Sequence, residues 1–305
     1  MLAILGIVAV FAAIFVGFLL EGGNPYVLFQ PAEMLIIVGA TGGIILVANP
    51  LGVIRKMGAG TMAAFRPAAR THHVFLRHMR MLYEVFHYVQ RAGIIELEKD
   101  VERPQESPIF KNHPEFLADR VTRDFVCDSL RMLVLGLTSP HELDQLMDLD
   151  IEVQRRERHE AVSALSSVAD ALPGLGIVAA VLGVVITMQA IGGSPETVGQ
   201  KVAAALVGTF LGILLCYGVV GPIAARLENL GETESQFFHV LRIAIISFAR
   251  GASPILAIEY ARRSIPDELR PSFSEMEIAI RRDAKVLPAP TAVLPEVPSA
   301  EVQPA

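Results

Sequence analysis

Residues 171–192 read ALPGLGIVAAVLGVVITMQAIG and residues 202–225 read VAAALVGTFLGILLCYGVVGPIAA, with no charged side chain in either stretch. An α-helix needs about 20 apolar residues to cross the roughly 30 Å hydrocarbon core of a bilayer. Both stretches reach that length, and the segment between them is short and polar. The sequence therefore predicts a membrane hairpin at 171–225.

Two more uncharged stretches lie nearer the amino terminus, at 2–20 and 34–51. Hydrophobic residues make up 52% of the 305 residues, yet charged residues still reach 19% because they are segregated from these stretches. A buried helix of a large soluble protein is the alternative for each stretch. Four together predict an all-α, polytopic membrane protein with four transmembrane helices and a helical cytoplasmic region. The first stretch lacks the basic residues that precede the apolar part of a signal peptide, so a retained helix is expected.

Basic residues are concentrated on one side of the predicted helices. Sixteen of the 26 Lys and Arg residues lie in 51–170 and nine lie from Arg226 onward. The connector at 21–33 contains none, and the connector at 193–201 contains only Lys201. Because basic residues are retained in the cytoplasm, we expect both termini and the large loop on the cytoplasmic side.

These patterns divide the chain into five parts. They are a transmembrane hairpin (1–51), a helical cytoplasmic loop (52–170), a second transmembrane hairpin (171–225), a helical cytoplasmic tail (226–285) and a proline-rich tail (286–305). Apolar residues at helical spacing in 74–92, 115–136 and 141–165 predict helices in the loop. Ser272 and Glu275 have the spacing of a capping box, so a helix is expected to begin there. Five prolines in the last twenty residues predict disorder.

No motif of a soluble enzyme is present. The chain has no Walker A loop, no GxSxG and no HExxH, so the sequence predicts no enzyme and no cofactor. Cys127 and Cys216 fall in different regions and predict no disulfide. Four histidines lie on or near one predicted helix, but none has another four residues away, so no metal site is expected. They are His72, His73, His78 and His87.

The predicted membrane helices contain no charged residue. An ion pathway through a membrane normally uses an ionisable group, so a partner subunit has to supply the carboxylate if ions pass. Thr209 and Tyr217 are the polar candidates to line such a route, and a hydroxyl bonded back to its own helix is the alternative for Thr209. Gly208 and Gly212 have the spacing of a helix-packing motif.

Three residues mark the cytoplasmic ends of the second hairpin. Asp170 and Pro173 fit an N-cap followed by a first-turn proline, where the missing N–H costs little. The other interpretation is a helix that continues in from the cytoplasm and is kinked at Pro173. Pro222 marks the point where the last membrane helix leaves the bilayer. We assign all three residues to conformational coupling.

Four segments resemble the MotA/PomA family of flagellar stator proteins, which is related to ExbB and TolQ. They are QPAE at 30–33, ALPGLGIVAAVLGVV at 171–185, VGTFLGILLCYG at 207–218 and RPSF at 270–273. The likeness extends to about residue 285 and implies the A subunit of a stator in the bacterial inner membrane. It further implies five copies around a dimer of MotB subunits, with MotB supplying the aspartate that takes up the ion. Ion flow would then produce torque on the rotor protein FliG.

The resemblance also assigns residues. The family's rotor-contacting charges look like Arg91 and Glu98, although the usual basic position corresponds to Gln90 and Arg91 lies one step later. Sodium-driven relatives tend to have a threonine where this chain has Ala180, which favours protons. An ExbB/TolQ-type energiser, a sodium-driven stator and a passive membrane scaffold are the alternatives. Lipid, MotB and FliG are the expected partners, and no nucleic acid is expected.

Overall fold

The computed structural model describes residues 2–67, 69–136, 138–189, 192 and 194–281. All regular structure within these ranges is helical, which confirms the predicted all-α class. The tail at 286–305, where disorder is predicted, lies outside the described residues.

The α-helices are numbered in chain order. They are α1 (Leu2–Leu20), α2 (Pro31–Ala48), α3 (Leu51–Ala64), α4 (His72–Ala92), α5 (Glu98–Glu102), α6 (Pro114–Ala118), α7 (Arg120–Leu135), α8 (Pro140–Met188), α9 (Pro195–Leu215), α10 (Gly221–Ala249), α11 (Pro254–Arg263) and α12 (Phe273–Arg281). Short 3₁₀ turns lie at Pro25–Leu28, Ile95–Leu97 and Phe110–Asn112, and a π turn lies at Cys216–Val220.

Four helical segments are long and apolar enough to cross a membrane, which is the predicted number. They are Leu2–Leu20, Pro25–Ala48, Pro140–Met188 and Pro195–Ala249. α1 buries no residue within the chain. Ile7 packs against a cluster that includes Ala64 and Ile223, and most of the remaining surface of α1 is open to lipid or to other subunits.

The second membrane helix begins earlier than the predicted 34–51. α2 starts with Pro31 at its first position, where a missing N–H costs no helical hydrogen bond. It ends at Ala48 because Asn49 precedes a proline and takes an extended conformation (φ −129°, ψ 139°). As a result Glu33, which the sequence placed in the external connector, lies inside α2. The expectation that the membrane helices carry no charge was therefore wrong for α2.

α8 is a single helix of 49 residues. Asp170 lies well inside it, so the interpretation of Asp170 as an N-cap with Pro173 in the first turn was wrong. The helix continues through Pro173, although an interior proline costs about 3 kcal/mol. The predicted helical segment at 141–165 is part of the same helix.

The last predicted membrane helix also belongs to a longer helical path. α9 is followed by the π turn, in which the N–H of Gly221 donates to the carbonyl oxygen of Cys216. α10 then begins at Gly221 and includes Pro222, which has no N–H to donate to the carbonyl of Gly218. A π turn inserts one residue into the helical ladder, so the wider turn accommodates this proline. The continuation of the helix beyond residue 226 was correctly predicted.

The described residues form two compact units, and the first comprises those of 2–70 and 149–236. Within it, α8 and α9 make backbone contact. A Cβ added to Gly176 would lie 2.8 Å from the carbonyl oxygen of Gly208, and one added to Gly212 would lie 2.6 Å from that of Leu172. Only glycines permit so close an approach, which confirms the packing function of the predicted motif.

Two arginines connect helices of the first unit outside the apolar segments. The guanidinium of Arg70 donates to both carboxylate oxygens of Glu234, at 2.8 and 2.6 Å. Arg226 donates to the carbonyl oxygen of Ala64 at 2.5 Å. Two-pronged arginine contacts are directional as well as charged, so these bonds hold α10 against the chain that follows α3.

The second unit comprises the described residues of 71–148 and 237–281, and its core is aromatic. Phe86 stacks on Phe248, with ring centroids 4.3 Å apart. Further phenylalanines are fully buried in this unit because they lie on the apolar faces of their helices. They are Phe75, Phe110, Phe116, Phe237 and Phe238.

Two glutamates at the surface of the second unit are held by local hydrogen bonds. The N–H of Ser272 donates to Glu275 at 2.7 Å, which confirms the predicted capping box and lowers the pKa of Glu275. Arg262, together with Arg263, lowers the pKa of Glu259 to about 2. Both carboxylates are therefore charged at neutral pH and stabilise the ends of α12 and α11.

The α8–α9 contact leads to a prediction about two neighbouring glycines of α8. Gly176→Ala should destabilise the hairpin by about 1–3 kcal/mol, because the added methyl meets backbone atoms that cannot move aside. Gly174→Ala is the matched control, since a Cβ there meets nothing within 4 Å. Thermal unfolding of the purified protein in detergent should show a lower midpoint for Gly176→Ala only. Equal midpoints for the two variants would contradict the contact.

Candidate functional site

The residues proposed from sequence for the ion route lie on the facing helices of the membrane hairpin. Ala180 on α8 and Thr209 on α9 are both half-buried. The hydroxyl of Thr187 donates to the carbonyl of Gly183 at 2.8 Å within its own helix. Thr209 makes no such bond among the described residues, so the alternative of a back-bonded hydroxyl does not hold. A free hydroxyl is able to donate to, or accept from, a passing ion or water.

A buried carboxylate, which the sequence interpretation missed, also lies at this hairpin. Glu33 is only 7% exposed, and its Oε2 atom is fully buried with no hydrogen-bond partner among the described residues. The position a Cβ would take at Gly208 lies 2.8 Å from that oxygen. The sequence did contain a signal for it, because a proline two residues before a glutamate is typical of a helical first turn. The carboxyl group is the one acidic side chain of α2.

The residues assigned to conformational coupling lie along the two long helical paths. Pro173 is half-buried inside α8, and its missing N–H leaves the carbonyl of Ala169 without its helical donor. Asp170 and Pro222 are exposed. Tyr217, a candidate for the ion route, lies in the π turn with 73% of its surface exposed within the chain. It is therefore directed out of the hairpin and toward whatever surrounds it.

The two charges assigned to the rotor contact are both exposed on the second unit. Arg91 lies in the last turn of α4, which ends at Gly93 in a conformation with positive φ (91°) that favours glycine. Glu98 begins α5, after a 3₁₀ turn whose Leu97 is buried. No ion pair involves Arg91 or Glu98 within the described part of the chain. Both charges therefore face solvent, free to meet another protein.

The histidines and cysteines show no arrangement of a metal site or a reactive thiol among the described residues. His78 is buried, and its Nδ1 lies 2.8 Å from the carbonyl oxygen of Val74. No group of three potential metal ligands occurs within the described ranges. Cys127 and Cys216 are buried free thiols, and burial raises the pKa of Cys127 to about 12. The Cys127 thiol is therefore protonated and unreactive at neutral pH.

The geometry defines a class of protein: a polytopic helical membrane protein whose polar groups converge on one hairpin. Two family descriptions match the chain. "Motility protein A N-terminal" matches residues 4–93, and "MotA/TolQ/ExbB proton channel family" matches residues 117–239. Both descriptions are of membrane proteins of the motility and TolQ/ExbB type and not of enzymes.

Individual relatives narrow the class. The chain is 36% identical to Motility protein A of Escherichia coli over 281 residues, which cover 92% of this chain and 95% of the relative. It is 34% identical to Chemotaxis protein LafT of Vibrio parahaemolyticus over 90% of this chain and 96% of that protein. The chain belongs to the Motility protein A family. It is thus a membrane-embedded protein of the flagellar motility system.

Two solved structures share the fold. The chain is similar to a chain in "Structure of C. jejuni MotAB", with a TM-score of 0.74, 21% identity and coverage of 89% of this chain and 98% of that chain. It is also similar to a chain of the flagellar MotAB stator complex from Bacillus subtilis, with a TM-score of 0.72, 22% identity and coverage of 88% and 98%. At these identities the likeness concerns the fold.

Proposed function

We propose that this chain is the A subunit of a proton-driven flagellar stator, which converts ion flow into torque on the rotor. The observation that carries the proposal is the 36% identity to Motility protein A of Escherichia coli over 92% of the chain. The match at residues 4–93 extends over the amino-terminal membrane helices. It favours a motility protein over an ExbB- or TolQ-type energiser, with which only the description at 117–239 is shared.

The working complex contains a MotB-like subunit. Solved structures of similar fold are MotAB complexes, and α1 with no buried residue has a surface suited to lipid and to other subunits. Large apolar side chains of α8 are also exposed, as expected where other membrane helices pack. They include Ile177, Val178, Val181, Leu182, Val184 and Val185. Five copies around a MotB dimer, as the family implies, would cover these faces.

Protons are the transported ion. Ala180 presents no oxygen at a position on the α8 face of the hairpin where a hydroxyl would help replace the hydration shell of sodium. The unbonded hydroxyl of Thr209 on the opposite helix is suited to ordering water for proton transfer. Tyr217, which is directed out of the hairpin, would line the route only where the hairpin meets another subunit. The proton acceptor of the MotB-like partner lies beside these groups.

The second unit faces the cytoplasm and carries the rotor contact. Its basic residues and those that flank the membrane helices support a cytoplasmic location for this unit and for both termini. Arg91 and Glu98 are exposed and unpaired within the described residues, so their charges are directed at the rotor protein FliG. The joint is formed by Pro173 together with Asp170 and Pro222. Through this joint, movement of the membrane hairpin is transmitted to the cytoplasmic ends of α8 and α10.

The swimming speed of bacteria tests the identity of the transported ion and the stator function together. A strain without this chain should not swim, and a plasmid copy should restore swimming. The restored speed should collapse when a protonophore removes the proton gradient, and it should persist when sodium is replaced by potassium. Normal swimming of the deletion strain would contradict the stator function, and a speed that follows sodium would contradict the proton assignment.

The rotor contact is tested by charge reversal. Exposed ion pairs contribute only ~0.2–1 kcal/mol, so Glu98→Lys and Arg91→Glu should reduce swimming most under viscous load. A compensating reversal on FliG should partly restore it, which also requires that this unit lie in the cytoplasm. Glu106→Lys is the control, because Glu106 is an exposed carboxylate of the same unit. Wild-type speed with both charges reversed would remove these residues from the contact.

The joint is tested by restoring the hydrogen bond that Pro173 removes. Pro173→Ala returns a donor to the carbonyl of Ala169 and relieves an interior-proline cost of about 3 kcal/mol. Thermal stability and membrane abundance should therefore stay equal or rise, while swimming fails. Pro195→Ala, at the first position of α9 where proline costs little, should leave both unchanged. Normal swimming of Pro173→Ala would show that the joint is not needed.

A further inference from the structure

Within the described ranges, three helices carry a glutamate at the third helical position. In the capping box, a carboxylate at this position turns back to the N–H of the N-cap residue. Glu142 and Glu275 do so, accepting bonds of 2.7 Å from the N–H groups of Ser139 and Ser272. The side chain of Glu33, at the same position of α2, does not cap its helix. Its carboxylate is directed into the α8–α9 hairpin.

Two glycines provide the space that this carboxylate occupies. Oε2 of Glu33 lies 2.8 Å from the position a Cβ would take at Gly208 on α9, and Oε1 lies 3.2 Å from that at Gly183 on α8. A side chain on either glycine would collide with the carboxylate. The next residue after Gly208 is Thr209, whose hydroxyl is unbonded. The carboxylate therefore lies against α9 at the residue before Thr209, on the helix that carries the polar group assigned to the ion route.

The Glu33 carboxylate has no structural partner in the part of the chain that the structure describes. Glu33 is 7% exposed, and its Oε2 is buried without a hydrogen bond among the described residues. A buried carboxylate with no partner is strongly disfavoured in its charged form. A purely structural carboxylate would be expected to have both oxygens bonded, as Glu234 has. An unbonded carboxylate oxygen is available to bind a proton or another cation during function.

Other charges on the packed helices are far from Glu33. Lys201 is seven residues from Gly208, or about 10 Å along α9, and Glu196 is about 18 Å away. Asp170 is thirteen residues from Gly183, or about 20 Å along α8. Neither Glu21 at the end of α1 nor any other described residue forms an ion pair with Glu33. Its protonation is therefore governed by burial and by the ions that reach it.

We propose that the Glu33 carboxyl group is a proton-binding site of this chain, placed at the outer part of the hairpin. The site rests on the proposed function as a proton-driven stator subunit. A hydronium ion on the outer side loses a proton, which forms an O–H bond at Oε2 and neutralises the carboxylate, and a water molecule is left behind. That bond breaks when the proton passes, by way of water at Thr209, to the carboxylate of the MotB-like partner. Glu33 then regains its negative charge and accepts the next proton.

The test uses the complex of this chain with its MotB-like partner in lipid vesicles, with proton uptake driven by an imposed membrane potential. Glu33→Gln keeps the size of the side chain but does not titrate, so uptake should fall about tenfold or more, within the range for loss of a proton-transferring group. Glu33→Asp retains a titrating group and should keep measurable uptake with a displaced pH profile. Glu21→Gln removes an exposed carboxylate near the same face and should behave as wild type.

Infrared difference spectra of the same vesicles at varied pH test protonation directly. The wild-type complex should show a carboxylic acid C=O band that is absent in Glu33→Gln and displaced in Glu33→Asp, even if the glutamine variant assembles poorly. Wild-type uptake by Glu33→Gln, or a band unaffected by both variants, would overturn the site and leave the stator function standing. Absence of proton uptake by the wild-type complex would overturn the stator function itself.

Discussion

The contact between the backbones of α8 and α9 is the constraint on which the membrane part of this protein depends. Gly176 on one helix faces Gly208 and Gly212 on the other, and a single added methyl at Gly176 or Gly212 would meet a backbone oxygen at 2.8 or 2.6 Å. Lipid offers no hydrophobic gain for joining two apolar helices, so close van der Waals packing has to supply the association. That packing also determines which side chains face each other across the hairpin. Ala180 and Thr209 lie on facing helices for this reason.

The polar content of the hairpin is small, and each polar group has a distinct environment. Thr187 satisfies its hydroxyl within its own helix, whereas Thr209 does not. Glu33 reaches the hairpin from α2 and fills the volume that Gly183 and Gly208 leave open. In an apolar surrounding an unbonded hydroxyl and an unbonded carboxyl oxygen are both costly. The presence of both groups at one hairpin distinguishes it from ordinary helix packing.

The second unit has the opposite character, since its core is aromatic and its charges are largely satisfied. Arg242 bonds to Asp144, and Glu259 is held by two arginines that lower its pKa to about 2. Arg91 and Glu98 are exposed and have no ion pair among the described residues, as is also true of Glu96, Lys99 and Lys111. Arg91 and Glu98 both lie where a helix ends or begins, because Gly93 stops α4 before the chain turns into α5. A free charge at a helix end is well placed to meet a partner.

The sequence by itself determined the class, the number of membrane helices, the capping box at Ser272 and the packing role of Gly208 and Gly212. These follow from local composition and spacing, which hydropathy and helical periodicity report directly. It placed the helix boundaries less well, because a proline such as Pro173 is compatible with either a first turn or an interior kink. Only the tertiary structure decided that α8 is continuous and that Glu33 is buried in the hairpin. The partner of a side chain at a helix end depends on which other helices pack there. No local sequence pattern encodes the contacts between helices that are distant in sequence.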